Sequence, residues 1–125
     1  MEIIFSNVDI DLINFVNDRH DIKIDFFDSL GLNEYCGSLI CRSVFSLKLD
    51  TNFDSDEEAP FRCFICDISM KRIENAEDVE KYFKRLLYGY SSNPESDEYY
   101  FVSFDGGEID IKLICGSVEI IRELD

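Results

Sequence analysis

The chain has 125 residues, 46% of them apolar and 11 of them Phe, enough for one cored domain over 1–125 and little more. Its 27 acidic residues against 12 basic ones give a formal net charge of -15, which argues against direct contact with nucleic-acid phosphates and against docking on an anionic membrane. No apolar run approaches the ~18 residues of a membrane span, and the start of the chain lacks the basic n-region of a signal peptide, so the expected compartment is the cytoplasm.

In chain order, residues 2–5 are expected as a short strand. Ser6 or Asn7 then caps an expected helix from Val8 to Arg19, with Val8, Leu12, Phe15 and Val16 on one face. A strand competes there, because Val8, Ile10 and Leu12 alternate with Asp9 and Asp11. Residues 21–27 alternate cleanly, with Ile22, Ile24 and Phe26 on one side, and a turn follows over 28–33. Residues 38–50 form a longer alternating run, Leu39, Cys41, Phe45, Leu47 and Leu49 against Arg42, Ser46 and Lys48. A loop over 51–60 leads to a strand over 61–70, apolar on both faces and therefore expected in the centre of the sheet. The strongest helix signal covers 76–88. Asn75 is its N-cap, Val79, Tyr82, Phe83, Leu86 and Leu87 form its stripe, and Gly89 stops it. After a polar loop over 89–98 come a strand over 99–104, an Asp105-Gly106 hairpin signal, a strand over 108–115, a turn or bulge at Gly116-Ser117 and a last strand over 117–124. The pattern predicts an α+β domain: an antiparallel or mixed sheet of five or six strands with one or two helices packed on one face.

Few residues suggest chemistry. Five cysteines, Cys36, Cys41, Cys63, Cys66 and Cys115, in a chain without a secretion signal, read as reduced thiols serving the core. Cys63-Phe64-Ile65-Cys66 is a CxxC, but a strand sends its two side chains to opposite faces, and no second ligand pair follows at zinc-site spacing. Asp50 to Phe61 partly matches a calcium loop, yet Ser55 replaces the required Gly and Phe61 the closing Glu. His20 is the single histidine, and no nucleophile is placed beside it. No metal, cofactor or catalytic set is expected.

Charge is the informative feature. Lys71 to Arg85 is nearly neutral, so the acid lies elsewhere. Two segments carry acid and no base: Asp50 to Glu58, and Gly89 to Ile111 with Glu95, Asp97, Glu98, Asp105, Glu108 and Asp110. The second also holds Tyr90, Tyr99 and Tyr100, a residue type enriched at interfaces. Such an excess goes beyond what solubility needs and repels itself; fast capture of a basic partner accounts for it.

In size, acidity, reduced cysteines and the two acidic, Tyr-bearing segments, the chain resembles small bacterial toxin-immunity proteins of contact-dependent inhibition and related polymorphic toxin systems. The resemblance implies a non-enzymatic, cytoplasmic protein. Its partner would be a basic nuclease-type toxin domain, whose active site or substrate groove it covers. The expected contact residues are Asp54, Asp56, Glu57, Glu58, Glu95, Asp97 and Glu98, with Tyr99 and Tyr100 as anchors. A nucleic-acid-mimicking inhibitor of a DNA-processing enzyme, or a small adaptor, would use the same composition. The oligomeric state is left open.

Overall fold

A computed structural model describes residues 2–11, 20–29, 34–52, 62–73 and 99–123. These form six strands: β1 (Glu2–Asp11), β2 (Ile22–Asp28), β3 (Tyr35–Thr51), β4 (Arg62–Ile73), β5 (Tyr99–Gly106) and β6 (Ile109–Arg122). They close into an antiparallel barrel in the order β1-β2-β3-β6-β5-β4.

The expectation of an α+β sheet with helices on one face is thereby corrected. The described residues are all-β, and among them the opposite wall of the barrel covers the inward side of the strands. Val8 to Asp11, expected to begin a helix, continue β1 and pair with Ile65, Phe64, Cys63 and Arg62 of β4. The rest of that expected helix, and the one over 76–88, lie outside the described residues.

Alternation builds the interior. Ile22, Ile24 and Phe26 of β2, Leu39 and Cys41 of β3, Cys63, Ile65 and Ile68 of β4, Val102 and Phe104 of β5, and Ile109, Ile111 and Leu113 of β6 all belong to one buried cluster. Side chains fill a barrel of this strand number, leaving a packed core. Phe26 is its centre, with its ring centroid 4.3 Å from Phe5 and 6.4 Å from Phe104. Burying each such ring is worth about 1.5–3 kcal/mol relative to leaving it exposed.

Curvature comes from irregular positions in the strands. Asn7 and Ser43 take positive φ, 54° and 56°, and pairing register shifts between Ile3 and Phe5, between Phe26 and Phe27, and between Val44 and Ser46. Bulges of this kind bend and twist a strand. At the Ser43 kink, the Ser43 amide donates to Asp21 Oδ1 (3.1 Å) and the Val44 amide to the His20 carbonyl (2.7 Å). Ser46, expected on the face of Arg42 and Lys48, lies opposite Ile114 of β6, and both are buried.

β6 is continuous through Gly116-Ser117, where a turn or bulge was expected. Its register with β3 runs from Ile109 opposite Thr51 to Arg122 opposite Gly37, and this long pairing overrides the local turn signal. The β5–β6 hairpin forms as expected, with Gly107-Glu108 as its two-residue turn and Gly106 opposite Ile109. Glu108 does not take positive φ, so the turn is not the type I′ that an Asp-Gly signal implies.

Candidate partner-binding surface

Strand register places four aspartates side by side. Asp50 of β3 is opposite Asp110 of β6, Asp110 is opposite Asp105 of β5, and Asp105 is opposite Asp67 of β4. Asp110 lies between the buried Ile109 and Ile111, and Asp105 follows the buried Phe104, so alternation turns both carboxylates outward. Asp50, Asp105 and Asp110 are exposed and Asp67 is half-buried. Neighbouring strands lie about 4.8 Å apart, so the row spans about 14 Å around the barrel wall. Exposed Glu108 sits in the adjoining turn, where its carbonyl accepts from the Asn52 amide at 2.8 Å.

Like charges directly opposite on adjacent strands destabilise a sheet. Among the described residues the compensation is sparse. Ser6 Oγ donates to Asp67 Oδ1 at 3.0 Å, and Lys48 Nζ lies 3.6 Å from Asp50 Oδ2. Lys48 itself faces a like charge, Lys112. The outer wall thus carries an aspartate row beside a short lysine pair.

The sequence-derived contact residues fall otherwise. Asp54, Asp56, Glu57, Glu58, Glu95, Asp97 and Glu98 lie outside the described residues. Tyr99 is only 3% exposed, and Tyr100 is half-buried, packed against the interior cluster. In the sequence Asp105, Glu108 and Asp110 stand only as members of an acidic segment, and Asp67 carries no signal of its own. Their alignment is a product of pairing partners far apart in the chain.

A cleft of about 320 Å³ is lined by Ile3, Ile4, Phe5, Ser6, Val8, Cys36 and Arg122. Its one charged group already serves the fold: the Arg122 guanidinium lies 4.6 Å from the Phe5 ring centroid and donates to the Ile4 carbonyl. Burial, together with the charges of Asp28 and Glu123, pushes the Cys36 thiol up, away from the thiolate that nucleophilic chemistry uses. A polar chain on the outer wall joins the Tyr35 hydroxyl, Ser38 Oγ and Asp25, with Ser38 donating to Asp25 Oδ1 at 2.6 Å. It satisfies the buried Ser38.

The CxxC is split as expected, Cys63 buried and Cys66 exposed, and all five cysteines are free. No group of three or more potential metal ligands is found among the described residues. Nor, among them, is any helix long and apolar enough to cross a membrane.

These features define a small antiparallel β-barrel with an acidic outer wall. A family profile described as "-like" matches residues 3–122, and the chain belongs to that family. The crystal structure of an uncharacterized protein from Neisseria gonorrhoeae is similar, with a TM-score of 0.62 at 20% identity over 95% of this chain and 94% of that one. That likeness is one of fold. No curated protein matches.

Proposed function

We propose that this is a non-enzymatic capture protein of the toxin-immunity kind, binding a basic nuclease-type toxin domain in the cytoplasm through its acidic outer wall. The observation that carries the reading is the row Asp50–Asp110–Asp105–Asp67 on four adjacent strands. A folded chain that sets carboxylates against each other loses stability, and a cationic partner repays that loss on binding. The barrel wall holds the carboxylates in place before the partner arrives, so little ordering entropy is lost on binding. A surface that normally accepts phosphates offers the matching charge.

The test is capture of a basic protein domain by the purified chain at low and high salt. Equal stoichiometry, inhibition of that domain's nuclease activity and an association rate falling with ionic strength are expected. The double substitution Asp105→Asn with Asp110→Asn should slow association about tenfold, within the range steering supplies. Capture that ignores both salt and this substitution would refute the reading.

A further inference from the structure

β3 has two halves with different neighbours. Its first half, Tyr35 to Cys41, lies between β2 and β6, whereas among the described strands its second half pairs with β6 alone. From Phe45 to Thr51 the opposite edge has no backbone partner among the described residues. Leu47 and Leu49 lie opposite the interior residues Leu113 and Ile111, so they share the inner face. Beyond the end of β2 no described strand continues the wall over them, and they are 38% and 48% exposed. An open edge with exposed leucines is a template for another strand.

Charge identifies the strand that fits. An antiparallel copy of the same edge, centred on Leu49, sets Lys48 of each chain opposite Asp50 of the other. Leu49 then meets Leu49, and Leu47 meets Thr51. Opposed residues keep the same face in this register, so the leucines remain inward and the charges outward. Centring on Lys48 would oppose two lysines, and centring on Leu47 would leave Asp50 facing Val44. Within one chain, Asp50 faces Asp110 and Lys48 faces Lys112. In the Leu49-centred pair, each aspartate row runs across the seam into the other copy's Lys48 and Lys112, so both like-charge rows gain counter-charges.

We infer that a second copy of this chain docks on the β3 edge over Ser46–Asn52, forming a two-fold dimer through a shared antiparallel ladder. Asp105 and Asp67 stay clear of the seam, so dimerisation and capture of a basic partner are separable.

Sedimentation equilibrium of the full chain at low salt, over a concentration series into the high micromolar range, tests the inference. The expected result is a reversible monomer–dimer equilibrium. Lys48→Glu or Asp50→Lys alone should weaken it at least about tenfold, since each places like charges twice across the seam. The double variant Lys48→Glu with Asp50→Lys should restore it. Circular dichroism establishes that each variant is folded. In a Cys66→Ser background, Leu49→Cys should give a covalent dimer under mild oxidation, because the two copies of residue 49 face each other. A folded protein that stays monomeric throughout leaves the edge to a strand of some other protein and overturns the inference. So does a dimer indifferent to the single charge changes, a double variant that fails to recover, or a dimer in which Leu49→Cys does not cross-link.

Discussion

Gly37 occupies a position where no side chain fits. A Cβ there would lie 2.5 Å from the Ile121 carbonyl oxygen and 3.2 Å from two ring atoms of Phe5. The oxygen belongs to the paired strand and the ring to the core, so neither moves cheaply. Gly37→Ala should destabilise the fold by about 1–3 kcal/mol, read as a lower urea midpoint. Asp105→Asn should act in the opposite sense. It sits between Asp67 and Asp110, and removing its charge relieves two like-charge contacts, for a gain of about 0.5–1 kcal/mol. Stability rising while partner capture slows would mark the row as selected for binding. Cys41 gives a pH signature. A hydrogen bond with the Cys115 thiol, and then burial, hold its own thiol well above the ordinary value. A proton held more tightly in the folded state adds stability that is complete below the unfolded thiol's pKa of about 8.5 and disappears as pH climbs toward the folded value. Denaturant midpoints should therefore fall as pH rises past that point, and fall less in Cys41→Ala measured against its own neutral-pH value. At this scale the sequence was informative about chemistry: Cys41, Cys63 and Cys115 are buried thiols as expected, while Cys36 is half-buried and Cys66, expected in the core with them, is exposed. The aspartate row was not legible, because it depends on which residues of four strands come to lie opposite one another.

Strands differ in how firmly they are held. β3 and β6 share an almost unbroken ladder from Gly37–Arg122 to Thr51–Ile109. β1 and β2 share only Val8–Asp28, Asp9–Phe27 and Ile10–Phe26, with Ser29 Oγ donating to the Asn7 carbonyl at 2.8 Å beside them. Amide exchange should be fastest among hydrogen-bonded positions at the β1–β2 seam and slowest in the overlap of β3 and β6, since opening energies follow local pairing and burial. Equal protection at the two seams would contradict this. β2 was legible from its clean alternation. The β5–β6 hairpin was legible as a hairpin, but its turn lies at Gly107-Glu108, two residues past the Asp105-Gly106 signal, which pairs inside the ladder. Val8 to Asp11 were ambiguous because Val8, Ile10 and Leu12 satisfy a strand while Val8, Leu12, Phe15 and Val16 satisfy a helix. The pairing with β4 decides it. Gly116-Ser117 misled for the converse reason: locally they suit a turn, but Ser117 lies opposite Arg42 inside the ladder, where Arg42 Nη2 meets Glu119 Oε2 at 2.8 Å.

Over the whole molecule, alternation shows that each strand has a buried side and is silent on what buries it. A layer of helices and the far wall of a barrel leave the same trace along a single strand, and only long-range pairing distinguishes them. That pairing also sets a timetable for the newborn chain. β6, the last of the six strands to be made, stands between β3 and β5 in the finished wall. β1, the first, waits for β4 before most of its backbone is paired. On the ribosome β3 must therefore remain without its principal neighbour until β6 emerges, with its apolar side uncovered. Contacts this remote in sequence close slowly. The interval before β6 arrives is when the chain is most prone to aggregate, and when a chaperone that shields extended segments would help it most.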